Sequence, residues 1–210
     1  MTLKQCVTWG FLAFQSVFVG TLSATLLTFE DLQYNQILSG QTYQGLSFEY
    51  GNTGSFGRTG NWVCPAPSSN SESVHCPQSG THNLSNGWGC TEIGIQFPKP
   101  ANVFSAYFAA QGYQESWTTG IRVLGYSDGV KTAETDWLTT ISKTPIKLEI
   151  NLMDVDRIVI ECKSVNPERE DDQYGWYGMD DLVFEIIEIP EPATLVLLGL
   201  GAIASARRKH

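Results

Sequence analysis

Residues 102–110 read NVFSAYFAA and residues 150–161 read INLMDVDRIVIE, and these two stretches decide the fold. Both are predicted as strands because they are short segments rich in apolar residues, within a series of such segments in which apolar and polar residues often alternate, as in a strand with one buried face. The same alternation is plain in residues 43–50, YQGLSFEY, where Leu46 and Phe48 have polar neighbours. Gly, Asn and Ser, which are typical of turns, bound such stretches.

Strand-like segments of this kind recur along most of the chain. Nine are predicted, at residues 25–32, 43–50, 91–97, 103–110, 120–126, 131–141, 145–151, 156–163 and 177–187. Between them no capped segment with helical periodicity competes. The sequence therefore predicts an all-β body at residues 25–188, built as a sandwich of two antiparallel sheets.

A long stretch at residues 51–89 interrupts the strands. It is crowded with Gly, Ser, Asn and Pro and has no periodic segment. Loops of this length are usually functional or held by cross-links, and this one carries Cys64 and Cys76. We expect an irregular, disulfide-bearing insert in the sandwich.

The first 24 residues have the layout of a secretory signal peptide. Lys4 precedes an apolar run at residues 7–19, and small residues follow it. We predict an N-terminal signal helix with cleavage after Ala24; an uncleaved anchor is the alternative.

Residues 189–210 form a second targeting segment. Pro190, Glu191 and Pro192 precede 14 almost wholly apolar residues, 193–206, and the chain then continues with Arg207, Arg208 and Lys209. A helix of that length spans about 21 Å, less than the roughly 30 Å hydrocarbon core of a bilayer. We predict a temporary transmembrane helix with its basic end in the cytoplasm and the body outside. The alternative is a C-terminal amphipathic or core helix.

This C-terminal segment resembles the PEP-CTERM sorting signal of exopolysaccharide-producing bacteria with two membranes. The Pro-Glu-Pro triplet, the short apolar helix and the basic end occur in the same order. The resemblance implies recognition by a membrane-embedded transpeptidase of the exosortase type. It also implies an inner-membrane intermediate and a final location at the cell surface or outside the cell.

The body is strongly acidic. It holds 9 basic and 21 acidic residues, a net charge of −12. This balance argues against nucleic acid as a partner, because such binding needs clustered Lys and Arg. It suits a soluble exported protein or one that binds cations.

Four cysteines remain in the body: Cys64, Cys76, Cys90 and Cys162. An even number in an exported domain favours disulfides, with three possible pairings. We expect Cys64 to pair with Cys76 and Cys90 with Cys162. The alternative is a zinc site that recruits His75 and His82, although the chain has no Cys-x-x-Cys pair.

The body also opens on Phe-Glu-Asp-Leu at residues 29–32 and closes on Met-Asp-Asp-Leu-Val-Phe at residues 179–184. With the strand segments between them, these motifs resemble the jelly-roll domain common in PEP-CTERM proteins, which is similar to galactose-binding-like and MAM-type sandwiches. In a jelly roll the first and last strands can lie side by side. That arrangement would let Glu30, Asp31 and Asp180 hold a structural calcium ion. The alternative is a set of solvated acids at strand ends.

Aromatic residues beside acidic ones suggest a glycan site. Tyr174, Trp176 and Tyr177 follow an acidic cluster at residues 168–172, and the insert adds Trp62 and Trp88. Aromatic faces stack on sugars while polar groups bind the hydroxyls. We therefore predict an exported surface or matrix protein that binds exopolysaccharide or another surface component.

The sequence offers little for catalysis. Outside the C-terminal tail and its His210, the only histidines are His75 and His82, and neither adjoins a nucleophile motif. We predict a noncatalytic protein. The alternatives are a secreted glycan-active hydrolase with two facing carboxylates and an inert structural component of the matrix.

Overall fold

The computed structural model describes residues 23–67, 73–165 and 175–188. The predicted signal helix, the sorting signal from Pro190 to Lys209 with its apolar helix, and Tyr174 lie outside these residues. Within them no helix is long and apolar enough to cross a membrane.

The described residues form an all-β body. Eleven strands occur among them: β1 (Thr25–Leu27), β2 (Gln41–Tyr43), β3 (Leu46–Phe48), β4 (Asn61–Val63), β5 (Ser73–His75), β6 (Leu84–Gly87), β7 (Glu92–Tyr113), β8 (Ile121–Ser127), β9 (Val130–Glu134), β10 (Ile146–Cys162) and β11 (Tyr177–Ile186). The only helical elements described are two 3-10 turns, Ser55–Gly57 and Gln114–Ser116. The prediction of an all-β fold is confirmed.

Two long bent strands form the frame of the body. The segments predicted at residues 91–97 and 103–110 are one strand, β7, and those at 145–151 and 156–163 are one strand, β10. The β7–β10 register shifts between Glu149 and Arg157, and no pairs join the two strands between Gln96 and Ala101 of β7. Pro98 and Pro100 fall in that gap, where no ladder bond needs their missing N–H groups.

The bends place the two halves of each long strand in different layers. In one layer the order is β2-β3-β7-β10-β8-β9; in the other, β10-β7-β11-β6-β4 with β1 also on β11. All the pairings between the eleven described strands are antiparallel. The layers are thus joined through continuous strands rather than being two separate sheets. The jelly-roll connection order stays a prediction.

Trp62 lies at the centre of the core between the layers. Its ring contacts Phe48 of the first layer (centroids 6.3 Å apart) and Tyr177 of the second (6.4 Å). Its indole N–H donates to the carbonyl of Gly94 at 2.9 Å. Trp62 and Tyr177 are both 0% exposed, so the prediction that they bind glycan is wrong. In sequence, the buried residues of the described hydrophobic core run from Leu27 to Phe184, so they all belong to the body.

The predicted disulfides are absent: Cys64, Cys76, Cys90 and Cys162 are free thiols. The Cys162 thiol points at backbone oxygens, 3.3 Å from the Gly175 carbonyl and 3.5 Å from that of Cys90. Burial raises the pKa of the Cys64 thiol to about 11 and that of Cys90 to about 12. Buried thiols of this kind behave as small apolar side chains.

The body has two distinct ends. The bend end, defined by residues 97–101 and 152–155, also receives the chain termini, because Thr25 pairs with Phe184 and Ile186 with Ala101. The opposite end is called the cleft end. Because β7 and β10 are bent, each begins and ends there: Glu92 of β7 pairs with Glu161 of β10, and Ala110 of β7 pairs with Tyr177 of β11. Pairing of the first and last strands, β1 with β11, is confirmed.

Candidate functional site

A cleft opens at the cleft end of the body. It has a volume of about 470 Å³. Its walls are Ser55, Phe56, Val63, Pro65, Ser85, Gln111, Gly112, Tyr113, Ser116 and Trp176. Three of these residues are aromatic, and none of them carries a charge.

The backbone of Trp176 makes hydrogen bonds through both its N–H and its carbonyl group. Its N–H donates to the Ser116 carbonyl at 2.8 Å, and its carbonyl accepts the Thr118 N–H at 3.2 Å. Gly112, whose φ is +76°, lies next to the indole: a Cβ there would be 4.0 Å from the Trp176 ring, an ordinary van der Waals contact. The backbone of Trp176 is therefore fixed in the wall, and the residue is only partly buried.

Phe56 stands on a small hairpin at residues 51–60. Three backbone hydrogen bonds hold it: the N–H groups of Gly51, Gly54 and Ser55 donate to the carbonyls of Gly60 (2.9 Å), Arg58 (2.8 Å) and Trp88 (2.7 Å), respectively. The hairpin lies close against Cys90: a Cβ on Gly60 would lie 2.3 Å from both Cβ and Sγ of that residue. Phe56 is 86% exposed, which is unusual for so large an apolar side chain.

Neutral polar groups complete the walls. The Gln111 side chain is buried, and its Oε1 lies 3.4 Å from Nδ1 of His75. The Ser85 hydroxyl donates to the Tyr177 carbonyl at 2.9 Å. Such a cleft can stack on an apolar face and bind neutral hydroxyl groups.

Only some of the predicted glycan residues come together. Trp176 lines the cleft. Trp88 lies beside it, with the Arg58 guanidinium 4.0 Å from the centre of its ring. Sequence reasoning missed Phe56 and Tyr113; for Phe56, an aromatic residue within a Gly-rich loop was the available signal.

The predicted calcium ligands Glu30 and Asp180 bind one loop, residues 78–82. Asp180 Oδ2 accepts the N–H groups of Gln78 at 2.9 Å and Ser79 at 3.0 Å. The Glu30 carboxylate accepts hydrogen bonds from the N–H groups of Thr81 and His82, each at 3.0 Å. The two carboxylates thus face N–H hydrogens, whereas a calcium ion requires six to eight oxygen ligands.

Asp31 lies apart from this pair. It accepts hydrogen bonds from the Tyr43 hydroxyl and from Gln44, the latter at 3.3 Å. Across the described residues, no three His, Cys, Asp or Glu side chains are grouped to hold a metal. The residues present therefore do not fit a calcium ion, nor do they form the alternative zinc site.

The two loop-binding carboxylates differ in acidity. Burial raises the pKa of Asp180 to about 6, against the lowering effect of its backbone hydrogen bonds. Burial also acts to raise the pKa of Glu30, but the Thr81 and His82 N–H groups outweigh it and lower that pKa. Asp180 is the acid whose charge the fold disfavours.

Several solved structures of carbohydrate-binding modules are similar to this chain. The CBM51-2 and INT domains of Clostridium perfringens ZmpB share 12% identity at a TM-score of 0.36, covering 78% of this chain and 32% of that one. CBM51 of Clostridium perfringens GH95 in complex with methyl-galactose shares 12% identity at 0.33, covering 76% and 99%. The CBM22 tandem domain of Paenibacillus barcinonensis Xyn10C shares 13% identity at 0.37, covering 76% and 49%.

These likenesses are weak. The chain spans about a third of the first structure, and with TM-scores below 0.5 none of the three assigns a ligand. No curated protein matches the chain significantly.

The C-terminal segment gives a specific match. Residues 188–209 match the model of the PEP-CTERM protein-sorting motif, which implies sorting for export. The chain therefore carries a PEP-CTERM sorting signal behind an all-β body.

Proposed function

We propose that the body is a noncatalytic carbohydrate-binding domain whose cleft holds sugar residues. The observation that carries this proposal is the wall formed by Phe56, Tyr113 and Trp176 around a cleft of about 470 Å³. Sugar rings present apolar C–H faces that stack on aromatic rings. The volume lies within the range of about 300–1,000 Å³ that is typical of small-ligand sites.

The composition of the cleft favours binding over hydrolysis. Glycoside hydrolysis requires two carboxyl groups roughly 5 to 9.5 Å apart. No Asp, Glu or His is among the described residues that line the cleft. Its polar groups are hydroxyls, an amide and backbone, which suit a neutral sugar better than a charged one.

The sorting signal gives the route by which the domain reaches its ligand. We propose that an exosortase-type transpeptidase processes the chain near Pro190 from a membrane-anchored intermediate. The body then acts at the cell surface or outside the cell, where exopolysaccharide is the ligand we expect.

Binding of the purified body, residues 25–188, to neutral and acidic bacterial exopolysaccharides tests the function. We expect Trp176→Ala to weaken binding about tenfold, since losing one stacked ring costs on the order of 1.4 kcal/mol. Tyr50→Ala is the matched control, because Tyr50 is an exposed aromatic residue (60%) outside the cleft walls.

Equal affinity of Trp176→Ala and the parent would contradict the proposed site. No binding by a body that is folded by circular dichroism would leave an inert matrix component as the better account. Release of reducing ends from the polymer would instead favour the hydrolase.

A further inference from the structure

Both targeting segments are attached to the body at its bend end. Thr25, just after the predicted cleavage site, lies opposite Phe184. Near the other terminus, the Ile187 N–H donates to the Pro100 carbonyl at 2.8 Å, and Glu188 pairs with Lys99 at 2.6 Å. The last described residues are therefore fixed against the bend of β7.

The cleft lies at the opposite end of the same strand that leads to the sorting signal. Trp176 directly precedes β11, and Ile186 is the last residue of β11. Ten residues at about 3.3 Å each place these two points roughly 30 Å apart.

The link from the body to the apolar run is short. Glu188 and Ala193 are five residues apart in sequence. A fully extended chain of that length spans at most about 18 Å. While the apolar run is in the membrane, the bend end cannot move far from the lipid surface.

Turn tips at the bend end expose apolar side chains. Val130, at the start of β9, is 66% exposed, and Met153, in the bend of β10, is 58% exposed. The two tips are joined by a 2.7 Å hydrogen bond from the Asp128 N–H to Asp156. Apolar side chains at such tips suit a lipid–water interface, and the aspartates favour neutral over anionic headgroups.

We infer that the membrane-anchored form stands with its bend end on the lipid surface. Val130 and Met153 then face the headgroups, and the cleft opens away from the membrane. The sorting signal and the strand geometry carry the orientation; the view that the outward cleft binds sugar rests on the proposed function.

Cysteine labelling of the mature chain, residues 25–210, in phosphatidylcholine nanodiscs tests the orientation. Met153→Cys and Phe56→Cys are compared, each in a Cys76→Ser background because the other three natural thiols are buried. The probe is a maleimide carrying a long polyethylene glycol chain. The rate for each variant is divided by its rate in the free body.

We expect anchoring to slow labelling of Met153→Cys about fivefold or more and to change that of Phe56→Cys by less than about twofold, since thiol reactivity follows access. Val130→Cys repeats the test at the second tip. Equal effects at both ends, no effect at either, or slowing at Phe56→Cys alone would overturn the orientation. Sugar binding is not measured here, so its failure would leave this result standing.

Discussion

Asp180 links the fold to pH. It is 2% exposed, and burial raises its pKa to about 6 from an ordinary value of 3.8. The folded state therefore binds a proton more tightly than the unfolded state. This contribution to stability is complete below about pH 4 and is lost as the pH rises to about 6.

We expect the free energy of unfolding to fall by roughly 2–3 kcal/mol between pH 4 and 6.5 because of Asp180, at about 1.4 kcal/mol per pKa unit. Urea titrations across this range measure the slope. Asp180→Asn flattens it, whereas the exposed Asp136→Asn retains it. Parallel slopes for Asp180→Asn and the parent would show that burial does not perturb this acid.

The carboxylates of Glu30 and Asp180 also predict the response to calcium. Because both accept backbone N–H groups, millimolar calcium or a chelator is expected to leave the melting temperature of the body unchanged. Differential scanning fluorimetry measures this directly. A rise of several degrees with calcium would mean that the loop at residues 78–82 rearranges around an ion.

At the scale of elements, the hairpin at residues 51–60 depends on close contact with Cys90. Gly60→Ala would place its Cβ 2.3 Å from Cβ and Sγ of Cys90, so the hairpin must move. We expect a loss of about 1–3 kcal/mol from overpacking, together with weaker sugar binding because Phe56 moves. Chemical unfolding and the polysaccharide assay measure the two effects.

Gly129→Ala is the control for that substitution. Gly129 has a φ of +76° and nothing within 4 Å of an added Cβ, so alanine there adds backbone strain without a clash. Sugar binding by Gly129→Ala should equal that of the parent. If Gly60→Ala also binds normally, the hairpin does not position the aromatic wall.

Strand positions were largely predictable from the sequence, but strand continuity was not. Alternation placed β8 and β11 within a residue or so and located both halves of β7 and β10. The sequence analysis divided β7 into two segments, 91–97 and 103–110, because sequence does not show that one strand can leave its ladder for a few residues and continue. The short strands β4, β5 and β6 have too few residues for any period to appear.

The candidate site was predictable only in part, since exposure depends on distant pairing. Trp62 and Trp176 look alike in sequence, yet one lies between the two layers and the other in an open wall. The cysteine count favoured disulfides by composition alone. In the structure, the Cys90 thiol lies close against Gly60, and the Cys162 thiol points at backbone oxygens.

For the whole molecule, the pairing of β1 with β11 is the arrangement that the resemblance to a jelly roll implied. That pairing brings both termini to the bend end and leaves the aromatic cleft at the other. The sequence does not show that the cleft and the termini lie at opposite ends, because this arrangement depends on the bends in β7 and β10.

The same pairing sets a time order for folding. β11 lies between β7 and β6 and also pairs with β1, yet it is the last strand of the body to be synthesised. The second layer cannot close until residues 177–186 have emerged, and contacts so distant in sequence form slowly. Whether it emerges from a ribosome or from a translocation channel, the body cannot complete this layer until nearly all of its residues are available.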